Sequence, residues 1–270
     1  MCGIAGLSIE YPLPPKVLAD IICELLCGIE ERGHDASGIA IYYDDGKLYL
    51  RKAPILASRL AEMLPYDKLR LEHARYILLH ARAASQGDPS DNENNHPLYC
   101  WAKAQRRVVC VVHNGIVHPT EAWIEEYIER EVDSDAFLAG VRRWGALSLK
   151  VIRKTLRAIG GTGAVAWSDG YKLILFRDTN PIATSLIQDP GLALVFASTG
   201  EILKSALDID HDIFYSKPKL IPNYTLIEYR GVVERTSITG VMLTGYYGTI
   251  TYATYRRGKY GYYCDYYYLE

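Results

Sequence analysis

Short apolar segments closed by tight Asp-Gly turns recur along this chain, with amphipathic helices set between them, and that pattern restricts the fold more than any other feature. Residues 39–43 and 48–52 flank Asp44-Asp45-Gly46, and residues 164–167 and 172–176 flank Ser168-Asp169-Gly170. Both pairs read as antiparallel hairpins, because Asp and Gly supply the backbone conformations that such turns need. Further strands are predicted at 76–80, 108–113, 192–197, 225–229 and 232–235. Apolar residues at helical spacing (Val17, Leu18, Ile21, Ile22, Leu25, Leu26, Ile29) mark a helix that stops at Gly33. Other helices are predicted at 56–64, 120–129, 135–144, 149–159 and 200–207. Hairpins without regular strand-helix-strand alternation exclude a doubly wound parallel sheet and give an α+β layered fold. Gly160-Gly161-Thr162-Gly163 has neither the Gly-Lys-Ser/Thr nor the following helix of a phosphate loop, so it reads as a turn between a helix and a strand.

With 49% apolar and 23% charged residues in 270, the chain can bury a sizeable core. A formal net charge of -2 gives no bulk attraction to nucleic acid or to an anionic membrane. No apolar run approaches the roughly eighteen residues of a membrane span, and no secretion signal opens the chain. The expected location is therefore the cytoplasm. Six cysteines (Cys2, Cys23, Cys27, Cys100, Cys110, Cys264) show no CxxC spacing and read as reduced core residues. No metal or cofactor is called for.

Two stretches stand apart in composition. Residues 82–97 are dense in Ser, Asp, Asn and Glu, too polar for a simple connector, and loops of that kind carry function. Asp88, Ser90, Asn92 and Asn94 alternate as in a calcium loop, but the glycine and the distal glutamate of that motif are missing. At the other end, ten of the 22 tyrosines lie in the last 25 residues. That tail reads as an appended extension rather than part of the core sheet layers. It suits a β-rich edge or a contact between copies of the chain; Arg256, Arg257 and Lys259 supply too little charge for nucleic acid.

The chemistry concentrates at the start, in Met1-Cys2-Gly3-Ile4-Ala5-Gly6-Leu7. Once Met1 is trimmed, Cys2 carries a thiol and a free α-amine on one residue. A thiol with a reference pKa of about 8.5 and an amine near about 7.7–8.0 make a nucleophile and its base. Cys2 alone could equally be a buried thiol. Further stretches follow in order: Arg32-Gly33-His34-Asp35-Ala36-Ser37-Gly38; His80-Ala81-Arg82 through Gly87 to Asn95-His96-Pro97; His113-Asn114-Gly115-Ile116; and Asp133-Ser134-Asp135.

Together these stretches resemble the class II glutamine amidotransferase domain, of the N-terminal nucleophile (Ntn) hydrolases, and are similar to the glutaminase domains of glucosamine-6-phosphate synthase and amidophosphoribosyltransferase. The resemblance covers roughly residues 2–235 and leaves 236–270 as the extension. It implies a four-layer αββα sandwich, two antiparallel sheets between helical layers. It implies hydrolysis of L-glutamine to glutamate and ammonia, with Cys2 as nucleophile and Asn114 and Gly115 as the oxyanion hole. Arg82 would bind the substrate carboxylate and Asp133 its ammonium, with Asp135 a close rival for that place. Ser85, Gln86 and Gly87 would belong to the loop closing over glutamine, and Arg32 would brace the nucleophile. An ammonia-accepting synthase subunit is implied as a partner. Hydrolysis of a different amide, or a non-catalytic assembly role, stays open. Ala83, Ser85 and Gln86 depart from the Trp, Thr and His of synthase-type members.

Overall fold

The computed structural model describes residues 1–119, 128–209, 212–241 and 243, and the backbone alone of 252–258 and 261–267. The predicted helix at 120–129 and the tail's side chains lie outside the described residues, apart from 128 and 129, which are not helical.

Two eight-stranded antiparallel sheets form the centre. The first contains β1 (Gly3–Tyr11), β2 (Ala36–Tyr43), β3 (Leu48–Ala53), β4 (Ala74–Arg82), β9 (Ala183–Asp189), β10 (Leu192–Ala197), β11 (Phe214–Tyr215) and β12 (Lys219–Leu220). Its order is β11-β9-β10-β1-β4-β2-β3, with β12 also on β9. The second contains β5 (Leu98–Ala102), β6 (Arg107–Pro119), β7 (Ile159–Ser168), β8 (Leu173–Arg177), β13 (Thr225–Arg230), β14 (Val233–Thr239), β15 (Tyr252–Gly258) and β16 (Gly261–Tyr267). They run β16-β15-β14-β13-β8-β7-β6-β5. The tail's hairpin thus continues the second sheet at its edge, through Ile238 opposite Thr254.

Helices α1 (Pro15–Glu30), α2 (Ala57–Glu62) and α5 (Gly200–Leu207) cover the first sheet, and α3 (Ala136–Trp144) and α4 (Leu149–Arg157) cover the second. This is the αββα sandwich that the resemblance implied. Each layer follows from local chemistry. In α1 a proline at the first position suits the helix start, where its missing N–H costs nothing. The predicted stripe from Val17 to Ile29 is buried against the outer face of β1 and β4. Burial of each such Leu or Ile stabilises by about 1.5–3 kcal/mol, and Leu25→Ala would cost about 2–5 kcal/mol. Gly145, at φ +69, ends α3, its N–H donating to Val141 O at 2.7 Å. Ser148 caps α4 through Val151 N.

Alternation along the strands decides what faces the space between the sheets. Ile4 and Leu78 lie in that inner core, as do Cys110 and Val112. By the two-residue period of a strand, Cys2, His80, Arg82 and Asn114 face inward as well. Gly3 pairs with Ala81, so Cys2 and Arg82 stand side by side at one end of the first sheet. Strand β6 of the second sheet lies against both β1 and β4.

Some expectations need correction. Gly160 to Gly163 is no turn; it is the opening of β7, with Gly163 opposite Gly115 and Gly161 opposite Val117. Glycine is needed there for close approach, since a Cβ on Gly161 would sit 2.2 Å from Ile116 O. Strands β5, β9, β11 and β12 were not legible, and β6 runs six residues past His113 to Pro119. Cys100 and Cys110 are buried free thiols as expected, but Cys27 is exposed and Cys23 only part-buried, because both fall on the flank of α1 rather than on its apolar stripe. Among the described residues no helix is long and apolar enough to cross a membrane.

Candidate active site

The site is built on strand ends. Cys2 precedes β1, and the Ala83 N–H donates to its sulfur at 3.4 Å. Ala83 is held in place from both sides: Asp35 N donates to Arg82 O at 2.9 Å, and Asp35 Oδ2 accepts from Ala84 N at 2.7 Å. Gly33 makes that contact possible, for a Cβ there would lie 2.4 Å from Arg82 C. Arg32 Nε donates to Cys2 O at 3.1 Å. Burial pushes the Cys2 thiol above its ordinary pKa. The Ala83 N–H and the positive charges of the chain terminus and Arg82 oppose that rise without cancelling it, and Asp133 adds to it. Arg82 and Asp133 are therefore near enough to the sulfur for their charges to be felt.

Arg82 is buried, and its guanidinium donates to Asn95 Oδ1 at 2.7 Å, to Gly87 O at 2.9 Å and to Gln86 O. The loop at Ser85, Gln86 and Gly87 is thus folded over the arginine by main-chain carbonyls. The Ser85 and Gln86 side chains are exposed. Gln86 and Asp133 border one cavity of about 320 Å³, together with Val117, His118, Arg130 and Glu131.

On the facing sheet, His80 Nε2 lies 3.0 Å from His113 O, where it can only donate, and so ties β4 to β6 one residue before Asn114. Asn114 is fully buried, and neither polar atom of its side-chain amide finds a hydrogen-bond partner among the described residues. An unpaired buried amide costs about 1–3 kcal/mol, which marks a group held for something other than stability. Gly115 has φ +155, and a Cβ on it would lie 2.1 Å from Thr162 O. Only glycine fits there.

The structure separates Asp133 from Asp135. Asp135 is fully buried and spent on structure: its carboxylate meets Arg130 at 2.7 Å and Arg142 at 2.7 Å twice, and accepts from Glu129 N at 2.8 Å. Burial, the largest single influence, would raise its pKa; the Arg142 hydrogen bonds and charge, the Glu129 N–H and the Arg130 charge together outweigh it and hold the carboxyl below the usual carboxylate value. Asp133 is part-exposed, accepts from Val117 N at 2.7 Å, and borders the cavity. Among the described residues no group of three or more His, Cys, Asp or Glu side chains is arranged to hold a metal ion.

Sequence reasoning missed several residues that shape this site. Asp35 and Asn95 lay inside matched stretches but carried no assigned role. Asn180, which donates to Asn114 O at 2.8 Å, had no signal beyond an Asn-Pro turn.

No family model matches the chain. Curated relatives do. Glutamine–fructose-6-phosphate aminotransferase of Caldanaerobacter subterraneus subsp. tengcongensis is 33% identical over 129 residues, 47% of this chain and 19% of the relative. The same enzyme of Pyrobaculum aerophilum is 30% identical over 179 residues, 63% of this chain and 28% of the relative. The chain is similar to class II glutamine amidotransferases. Among solved structures, glutamine phosphoribosylpyrophosphate amidotransferase from B. subtilis superposes with a TM-score of 0.66 at 19% identity, covering 87% of this chain and 48% of that one. This likeness is one of fold, the Ntn-hydrolase type. The chain spans about a fifth to a third of the length of the curated relatives that it matches.

Proposed function

We propose that the chain hydrolyses the side-chain amide of L-glutamine to glutamate and ammonia, with Cys2 as nucleophile once Met1 is removed. The supporting observation is the buried, unpaired Asn114 amide facing the space between the sheets, at the end where Cys2, Arg82 and Ala83 meet. The Cys2 sulfur attacks the carboxamide carbon, and the α-amine of the same residue takes the thiol proton. Charge building on the carboxamide oxygen is met by the Asn114 side-chain N–H and the Gly115 backbone N–H. The amine passes the proton to departing ammonia, a thioester remains, and water cleaves it to glutamate. Arg82 offers the substrate carboxylate a planar cationic fork, and Asp133 pairs with its ammonium. Asn95 and the carbonyls of Gln86 and Gly87 aim that fork, and Arg32 steadies Cys2 through its carbonyl.

The ammonia would pass to an ammonia-accepting synthase, and the relatives' description as glutamine–fructose-6-phosphate aminotransferases supports an acceptor of that kind. We assign residues 2–235 to the glutaminase domain and 236–270 to an extension suited to contact between chains, with β14 running across the boundary. The test is ammonia release from glutamine by protein whose N-terminus has been shown by intact mass to be Cys2. Release that is lost in Cys2→Ala, with KM raised about 10–100-fold in Arg82→Lys, is the expected result, the loss matching a charge-assisted hydrogen bond of about 1.5–3 kcal/mol. A processed protein that releases no ammonia overturns the reading. Unchanged glutamine turnover in Arg82→Lys would instead favour a different amide substrate.

A further inference from the structure

The turn joining β8 to β9 reaches back to the strand that carries Asn114. Asp178 builds it. Its Oδ1 accepts from the backbone N–H groups of Thr179 and Asn180, the second at 2.9 Å. Its Oδ2 accepts from Gly163 N at 2.7 Å, and its own N–H donates to Gly163 O at 3.1 Å. Gly163 is the residue opposite Gly115 in the β6–β7 ladder, so the turn is fastened directly beside the Asn114-Gly115 dipeptide. So fastened, the turn directs Asn180 Nδ2 onto Asn114 O at 2.8 Å.

Asn114 C=O and Gly115 N–H are the two ends of one peptide unit. Because that unit is planar and trans, gripping the oxygen fixes the direction of the N–H on the opposite side. A hydrogen bond at the oxygen also polarises the unit and makes its N–H a stronger donor. The hold matters here because Gly115 has no side chain and sits at φ +155, so its peptide is not held by rotamer packing.

We propose that Asn180 is a positioning residue for the Gly115 N–H, setting the direction and strength with which that N–H meets the developing oxyanion. This rests on the reading of Asn114 and Gly115 as the oxyanion hole. Asn180 works through Asn114 and touches no substrate. Its removal therefore lowers turnover and leaves substrate binding and thiol reactivity alone.

The experiment uses the full chain with Met1 removed and compares wild type with Asn180→Ala and Asn180→Asp. The aspartate keeps the shape of the side chain and lacks the N–H. Four quantities are read: kcat, KM, the affinity for glutamate by calorimetry, and the rate of Cys2 alkylation by iodoacetamide. In that alkylation the sulfur displaces iodide, the thiol proton goes to solvent, and no oxyanion forms. The expected result is a kcat about 10–100-fold lower in both variants, somewhat less than the loss of a direct oxyanion donor, with the other three quantities as in wild type. Wild-type kcat in either variant overturns the proposal, and so does a parallel fall of glutamate affinity and alkylation rate, which would mean that the site has merely come apart. If Asn180→Ala does not fold, Asn180→Asp decides. Failure of the underlying reading looks different: wild type then releases no ammonia, or Asn114→Leu turns over glutamine as wild type does.

Discussion

The Ala83 N–H donates to the Cys2 sulfur across 3.4 Å, joining two residues 81 positions apart in the chain. That contact, fixed by Asp35 on the neighbouring Ala84 N–H, is what ties the start of the chain to the loop that follows β4.

The contact does not make the thiol acidic. Burial pushes the Cys2 pKa up, and the Ala83 N–H and the nearby positive charges recover only part of the rise. In protein that retains Met1, the rate of Cys2 alkylation by iodoacetamide should rise with pH to a midpoint above the free-thiol value of about 8.5. A midpoint in the neutral range would mean that the sulfur is already a thiolate and needs no base.

Asn114 offers a separation of stability from function. Its amide is buried and unpaired, so replacing it with the similarly sized leucine removes an unsatisfied polar group. Asn114→Leu should melt at or above the wild-type temperature while ammonia release falls about 10²–10³-fold, as for loss of one oxyanion donor. A variant that is both less stable and fully active would count against the assignment.

The two aspartates, two positions apart in sequence, should fail in different ways. Asp135→Asn takes from Arg130 and Arg142 the buried carboxylate they share, leaving them the exposed Glu93 and Glu129, and should cost about 3–5 kcal/mol in urea unfolding. Asp133→Asn should unfold near wild type but raise KM for glutamine about 10–100-fold, the worth of a hydrogen bond to a charged group. Equal stability losses in the two would erase the distinction drawn here.

Acid should destabilise the fold through its histidines. His80, His96 and His113 are buried, and burial depresses all three, His80 to about 3. Groups whose folded pKa lies below the unfolded value of about 6.5 contribute fully above that pH, and the contribution is lost as pH falls toward the folded value. From pH 6 to pH 4, unfolding free energy should drop by about 1.4 kcal/mol per pH unit for His80, with His96 and His113 adding to the fall. Equilibrium urea unfolding across that range, with His96→Asn giving a shallower slope, checks it; a flat profile would show that the imidazoles are reached by solvent.

Much of the fold could be read because its signals are local. The stripe of α1, the Asp-Gly turns of both hairpins and the span of α5 depend on residues within one or two turns of each other. What could not be read depends on a distant neighbour. Gly160 to Gly163 looked like a turn because glycine clusters usually are one; it is a strand because β6 lies against it. Strands β9 and β5 were missed because Thr, Ser and Gln in one and the brevity of the other leave little alternation to detect.

By itself the sequence determined the layered α+β class, the course of most helices and hairpins, and the set of motif residues from Cys2 to Asp133. The tertiary structure alone decided which of two aspartates faces the cavity, since the arginines that consume Asp135 come from other segments. It alone put Asp35 on Ala84 and Asn180 on Asn114. The physical reason is that periodicity records which side of a segment meets the core, whereas a hydrogen-bond partner is set by how separate segments pack, and one residue's spacing carries no trace of that.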